Sequence, residues 1–119
     1  MDFRQTTVAD LARRVPAKEA SARELAQGAL DRIDALNPEV NAFVAVDAEA
    51  ALRDAAAVDE LVAAGEDPGP LAGVPIGVKD LEDAAGFVTS MGSATRAGDS
   101  PAATDSILVA RLRAAGCVV

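Results

Sequence analysis

The run Gly73-Val74-Pro75-Ile76-Gly77-Val78-Lys79-Asp80 brings a single amine to the end of an apolar stretch. Val74, Ile76 and Val78 alternate with Pro75, Gly77 and Lys79, the period of a short strand. Its proline sits near the start, and Gly77 admits a close backbone approach. A lysine so placed is expected to be partly desolvated. Desolvation disfavours the ammonium, lowers the lysine pKa and lets the amine serve as a base near neutral pH. Spacing alone leaves a second reading open, in which Lys79 snorkels from a strand end to water. Asp80 reads as structural, pairing with a nearby donor or capping the following turn, beside an alternative electrostatic effect on Lys79.

The remaining composition removes most other catalytic parts, because the 119 residues contain 0 His, 1 Cys, no Trp and no Tyr. Without histidine there is no Ser-His-Asp or Cys-His arrangement and no imidazole metal ligand, and one cysteine makes neither a thiolate zinc site nor an internal disulfide. A hydrolase built on this chain therefore needs a lysine base. Cys117 lies in an apolar run with no basic neighbour, which favours an inert buried thiol over a reactive one. Gly92-Ser93 reads as a turn in preference to a substrate contact. The acidic residues between Glu49 and Asp67 read as a solvated helix face without a metal pattern. Gly73 to Lys79 lacks the glycine spacing and the Lys-Ser/Thr ending of a phosphate loop.

Around Lys79 the chain resembles the amidase signature family. The matching residues are Leu71 to Asp80, Gly86, Thr89-Ser90-Met91-Gly92-Ser93, and Asp105 with Ile107 to Val119. Leu30 to Pro38 and Val40-Asn41-Ala42-Phe43-Val44 also look like the N-terminal region of that family. The resemblance starts at about Ser21 and implies an α/β fold, helices packed on a mixed β-sheet, with residues 1–119 as the N-terminal part of a single amidase domain. It implies hydrolysis of linear carboxamide C–N bonds through a Ser-cisSer-Lys triad acting on a small-molecule amide, with no cofactor and no metal. Lys79 falls on the family's lysine. By resemblance it accepts a proton relayed from the nucleophilic serine through the cis-peptide serine and returns it toward the leaving nitrogen. The Gly/Ser-rich stretch that supplies both serines has no match here. Ser21, Ser90, Ser93, Ser100 and Ser106 do not correspond to it, so none is assigned as nucleophile and the chain alone is expected to be inactive. Two other functions stay open: the amidase subunit of a tRNA-dependent amidotransferase, and a non-catalytic acidic α/β module. The Leu81 to Gly86 segment looks more like the stand-alone amidases.

The elements that must position Lys79 are mostly helical. Thr7 can cap a helix from Val8 to about Val15, with Pro16 discouraging continuation. Ser21-Ala22-Arg23-Glu24 has capping-box spacing, and Leu25, Ala29, Ile33 and Leu36 share a face up to Asn37-Pro38, where that helix is expected to stop. Phe43-Val44-Ala45-Val46 reads as a short strand. Asp47 caps a third helix, about Ala48 to Ala64, with Leu52, Ala55, Leu61 and Val62 available for burial and Gly65 at its end. Ile107 to Ala115 reads as a helix stopped by Gly116. Cys117-Val118-Val119 then opens an apolar run shorter than a usual strand of about five or six residues, so a sheet is expected to lack its neighbours.

The net charge of -8 and pI near 4.4 point away from direct nucleic-acid binding, which needs clustered Lys and Arg. No apolar run approaches the roughly 20 residues of a membrane span, and Met1-Asp2-Phe3-Arg4 lacks the basic and apolar regions of a leader. A cytoplasmic protein is the resulting expectation, with the oligomeric state left open.

Overall fold

A computed structural model describes residues 3–119. Met1 and Asp2, on which the reading of the chain's start partly rests, lie outside the described residues. After a 3-10 turn at Phe3–Gln5, helix α1 (Val8–Arg14) opens on a capping box: Thr7 Oγ1 accepts from the Asp10 N–H at 3.1 Å, and Asp10 Oδ2 accepts from the Thr7 N–H at 3.4 Å. Helix α2 (Ala22–Val40) opens on the expected box between Ser21 and Glu24, with bonds of 3.0 and 2.8 Å. Helix α3 (Ala48–Ala64) is capped by Asp47, whose carboxylate accepts from the Ala50 N–H at 2.9 Å, and it ends at Gly65. Helix α4 (Ile107–Ala114) follows Ser106 and terminates just before Gly116.

Helices α2 and α3 pack together in opposite directions. Asp59, late in α3, reaches the start of α2, where its two carboxylate oxygens accept from the N–H groups of Ala22 (2.7 Å) and Arg23 (3.1 Å). Ser21 and Asp59 together satisfy donors that a helix leaves unpaired in its first turn. Ala22, Ala26, Ala51 and Ala55 are buried between these helices, and such small side chains let the backbones approach closely around Leu25, which is fully buried. Leu11 and Val15 from the N-terminal side, and Ala72, Val74, Cys117 and Val118 from the other, complete this core.

The structure corrects several sequence expectations. The α/β reading with helices on a mixed β-sheet fails: among the described residues there is no sheet, and pairing between extended segments is one isolated parallel bridge, Pro75 to Val118. The reason is local. Val118 pairs with the two neighbours of Pro75, donating to Val74 O and accepting from the Ile76 N–H, while the N–H groups of Gly77 and Val78 find no acceptor among the described residues, so the ladder has a single rung. Phe43 to Val46 bends at Val44, joins no ladder and is exposed. Helix α2 continues past Asn37 and through Pro38 to Val40, ending at Asn41 in the left-handed region (φ 48°). A residue before proline ordinarily avoids the helical region. Here the Asn37 side chain is held by the Phe43 backbone, donating from Nδ2 to its carbonyl (2.9 Å) and accepting from its N–H (2.8 Å). On the expected helix faces, Leu36 and Leu61 are exposed, while Leu30, Ala51 and Val58 are buried.

Candidate active site

Gly73 begins the segment that carries Lys79. Its φ is +72°, and a Cβ there would lie 2.6 Å from the Ala22 side chain and 3.1 Å from Val15 Cγ2. Only glycine lets the chain press this closely on the start of α2. From there the segment is registered against the C-terminal residues: the Gly73 N–H donates to Gly116 O (2.8 Å), the Val118 N–H to Val74 O (2.9 Å) and the Ile76 N–H to Val118 O (2.8 Å). Gly77 admits the close approach expected of it, although the neighbour is a ring: a Cβ would sit 3.1 Å from Phe43 Cε1. Gly77 and Phe43 thereby tie the segment to the turn after α2.

Between α2, the Ala42 to Asp47 connection and Pro75 to Asp80 lies a groove of about 710 Å³. Its walls are largely apolar, including Ile33, Leu36, Phe43, Val44, Ile76 and Val118, and Lys79 lies on its lining. The expected desolvation of Lys79 is not realised, because the residue is exposed. The chain turns at this point: the Lys79 carbonyl accepts from the N–H groups of Leu81 (2.7 Å) and Glu82 (3.0 Å), which leaves the residue at the groove's rim.

Asp80 has the structural role that its position suggested. Its carboxylate accepts from the Ser90 N–H (2.6 Å), the Ser90 hydroxyl and the Gly92 N–H (3.2 Å). The Ser90 hydroxyl above all, then the amides of Gly92, Ser90 and Met91, hold this carboxyl below the ordinary aspartate range against the opposing effect of desolvation. The clamped residues form a turn in which Met91 (φ 54°) and Gly92 (φ 70°) both have positive φ and the Ser93 N–H donates to Ser90 O at 2.9 Å. Gly92-Ser93 is therefore part of a turn, as expected.

Three further carboxylates pin the loop that follows Lys79, and sequence reasoning singled out none of these pairings. Asp83 accepts from the Thr89 hydroxyl (2.6 Å), Asp105 from the Ala85 N–H (2.7 Å) and Glu82 from the Ser106 hydroxyl (2.8 Å). Their partners lie 6 to 24 positions away in the chain, so no local spacing announced them. Arg113 joins this loop to the helices, contacting Asp105 at 3.0 Å and Asp54 of α3 at 2.8 Å. Cys117 is buried and unpaired, and burial pushes its thiol pKa up, in keeping with the inert reading. No group of His, Cys, Asp and Glu suited to a metal ion occurs among the described residues, nor a helix long and apolar enough to cross a membrane.

Comparison with known proteins now bears on this geometry. The family model described as Amidase matches residues 24–119. A glutamyl-tRNA(Gln) amidotransferase subunit from Salinispora arenicola (strain CNS-205) is 49% identical over 118 residues, covering 99% of this chain and 24% of that protein. The corresponding subunit from Thiobacillus denitrificans is 49% identical over 106 residues, 89% of this chain and 21% of its own length. Among solved structures, native peptide amidase from Stenotrophomonas maltophilia superposes with a TM-score of 0.89 at 40% identity, covering 99% of this chain and 24% of that one. The chain thus spans about a quarter of the length of the relatives it matches. With the profile spanning both the α2–α3 pair and the segment bearing Lys79, the chain belongs to the amidase signature family.

Proposed function

We propose that this chain supplies the lysine base of an amidase, an enzyme that breaks a carboxamide C–N bond by acyl transfer to a serine. The observation that carries the reading is the placement of Lys79, on the rim of an apolar groove and inside the family match. Its chemistry is general-base catalysis. A neutral amine within about 2.6–3.2 Å of a hydroxyl takes the proton as that oxygen attacks the amide carbon, then returns it as the C–N bond breaks and the amine leaves. The serine pair of the family's triad has no counterpart among the five serines here, so these 119 residues alone are without amide turnover. Asp80 does not take part in the proton transfer. Its clamp on the Ser90 to Gly92 turn fixes the backbone on one side of Lys79.

The test is a chimera joining this chain to the part of the Stenotrophomonas maltophilia peptide amidase that it does not match, assayed for release of ammonia from a carboxamide. Lys79→Ala should lower kcat by about 10²–10⁴-fold, the usual range for loss of a general acid or base, with little change in KM. An effect confined to KM would make Lys79 a binding residue instead.

A second reading is favoured by a specific observation: the relatives at 49% identity are named as subunits of a glutamyl-tRNA(Gln) amidotransferase. On that reading the same C–N cleavage serves a partner subunit. The expectation of no direct nucleic-acid contact then loses its support, even though the chain's net charge of -8 makes it a poor ligand for phosphate. Co-purification with partner subunits in the presence of charged tRNA separates this reading from the stand-alone amidase.

A further inference from the structure

We propose that Arg113 is a positioning residue for Lys79: its guanidinium, shared between Asp54 of α3 and Asp105 at the far end of the loop that follows the lysine, fixes that loop on the helix pair. The proposal deepens the reading of Lys79 as a base and rests on it for its bearing on turnover.

The stretch from Lys79 to Ser106 is bonded mainly to itself. The Gly86 N–H donates to Ala102 O (2.9 Å), the Ala102 N–H to Phe87 O (2.8 Å) and the Ser106 N–H to Asp83 O (2.8 Å). Ala84 and Thr89 are its buried residues, and neither belongs to the main core. A segment with so few buried apolar contacts opens at low cost unless something else holds it. Among the described residues, one hydrogen bond joins α2 or α3 to any residue after Asp67: Arg113 Nη1 donates to Asp54 Oδ2 at 2.8 Å. The same guanidinium meets Asp105 Oδ2 through Nε at 3.0 Å, and the other oxygen of Asp105 accepts from the Ala85 N–H at 2.7 Å. A continuous line thus runs from α3 through Arg113 and Asp105 to a backbone amide of the loop. The Asp105 side chain is 16% exposed and that of Arg113 28%, so their contact is less screened than a surface pair. Arginine suits the place because its planar fork presents several donors in fixed directions, and two carboxylates from different elements can bind it at once. Arg53 also approaches Asp54, at 3.7 Å, without bridging to a second carboxylate.

The experiment follows amide hydrogen exchange in the 119-residue chain by NMR. Asp54 makes no direct contact with the loop, yet Asp54→Asn should speed exchange at the Ala85 N–H about tenfold, the loss of roughly one charge-assisted hydrogen bond. The Glu82 N–H, bonded to Lys79 O, should follow it. Leu25 and Ala26, buried in α2, should keep their rates. Arg113→Gln should have the same effect, and adding Asp54→Asn to it should change nothing further, because a coupling carried by one side chain is lost only once. Arg113→Lys, with the charge but not the fork, should recover part of the protection. No change at Ala85 in Asp54→Asn, a rise shared equally by Leu25 and Ala26, or additive effects of the two substitutions would each overturn the proposal. An Ala85 response that Glu82 does not share would break the link to Lys79 and overturn it too. Because exchange is read on this chain and turnover on the chimera, a Lys79 that only binds substrate leaves the hold of Arg113 on the loop standing, and a loop indifferent to Asp54 leaves the base reading standing.

Discussion

The carboxylate of Asp80 holds a turn that Met91, a side-chain-bearing residue at positive φ, would otherwise resist. A charge with a lowered folded-state pKa contributes stability that is present above its unfolded value, about 3.9, and lost as pH falls through the folded value. Asp80→Asn should therefore lower the melting temperature at pH 7, and the gap to the unchanged protein should close at acid pH, where Asp80 is itself protonated. Melting curves taken from pH 7 down to pH 2 check this, and a gap that stays constant would assign the loss to shape and not to charge. At this scale the sequence was informative about local chemistry only. Asp80 as an acceptor and Cys117 as an inert thiol follow from their neighbours. The exposure of Lys79 does not, because it depends on the turn that Leu81 and Glu82 make back onto its carbonyl.

Among the elements, the helix starts were legible because each cap lies within three residues of what it caps: Thr7 with Asp10, Ser21 with Glu24, Asp47 with Ala50. What lay beyond reach was the support of one helix by another. Asp59 is 37 positions from Ala22 and reads locally as one more acid on a solvated face, yet it caps the Ala22 and Arg23 N–H groups. Asp59→Ala should cost about 1–3 kcal/mol, the range for a buried donor left unpaired, since Ala22 is fully buried. Ser21→Ala removes one cap and should cost about 1 kcal/mol. Urea unfolding of both variants gives the ranking; a larger loss for Ser21→Ala would make the inter-helix cap the weaker of the two, and no loss for Asp59→Ala would show that it is dispensable. Pro38 misled for a related reason: the two bonds between the Asn37 side chain and the Phe43 backbone, which hold the helix past the proline, are invisible until the chain has turned back.

For the molecule as a whole, the mixed sheet that the family resemblance implied reduces to one bridge, and the short strand read from the alternation of Gly73 to Lys79 could not announce this, because period-two patterning records which faces are apolar and not how many partners stand alongside. The same patterning left an uncovered groove. The isolated chain should bind the dye ANS in its native state, and Val40→Glu with Val44→Glu should remove most of that fluorescence while leaving helical circular dichroism unchanged. Fluorescence insensitive to the pair would put the sticky surface elsewhere, with exposed Ile107 and Leu108 of α4 the next place to look.

The lone bridge between Pro75 and Val118 also orders events in time. Helices α2 and α3 are neighbours in sequence and can find each other early, whereas joining Pro75 to Val118 must first close the long loop between them, an entropic cost met by few hydrogen bonds. Lys79, carried at the end of that joint, is then among the last residues to settle as the chain folds and among the first to be released when it breathes. A second strand laid along Gly77 and Val78 would add the missing bonds and hold the Lys79 amine in place, so that the position of this side chain would be set by the arrival of a neighbour.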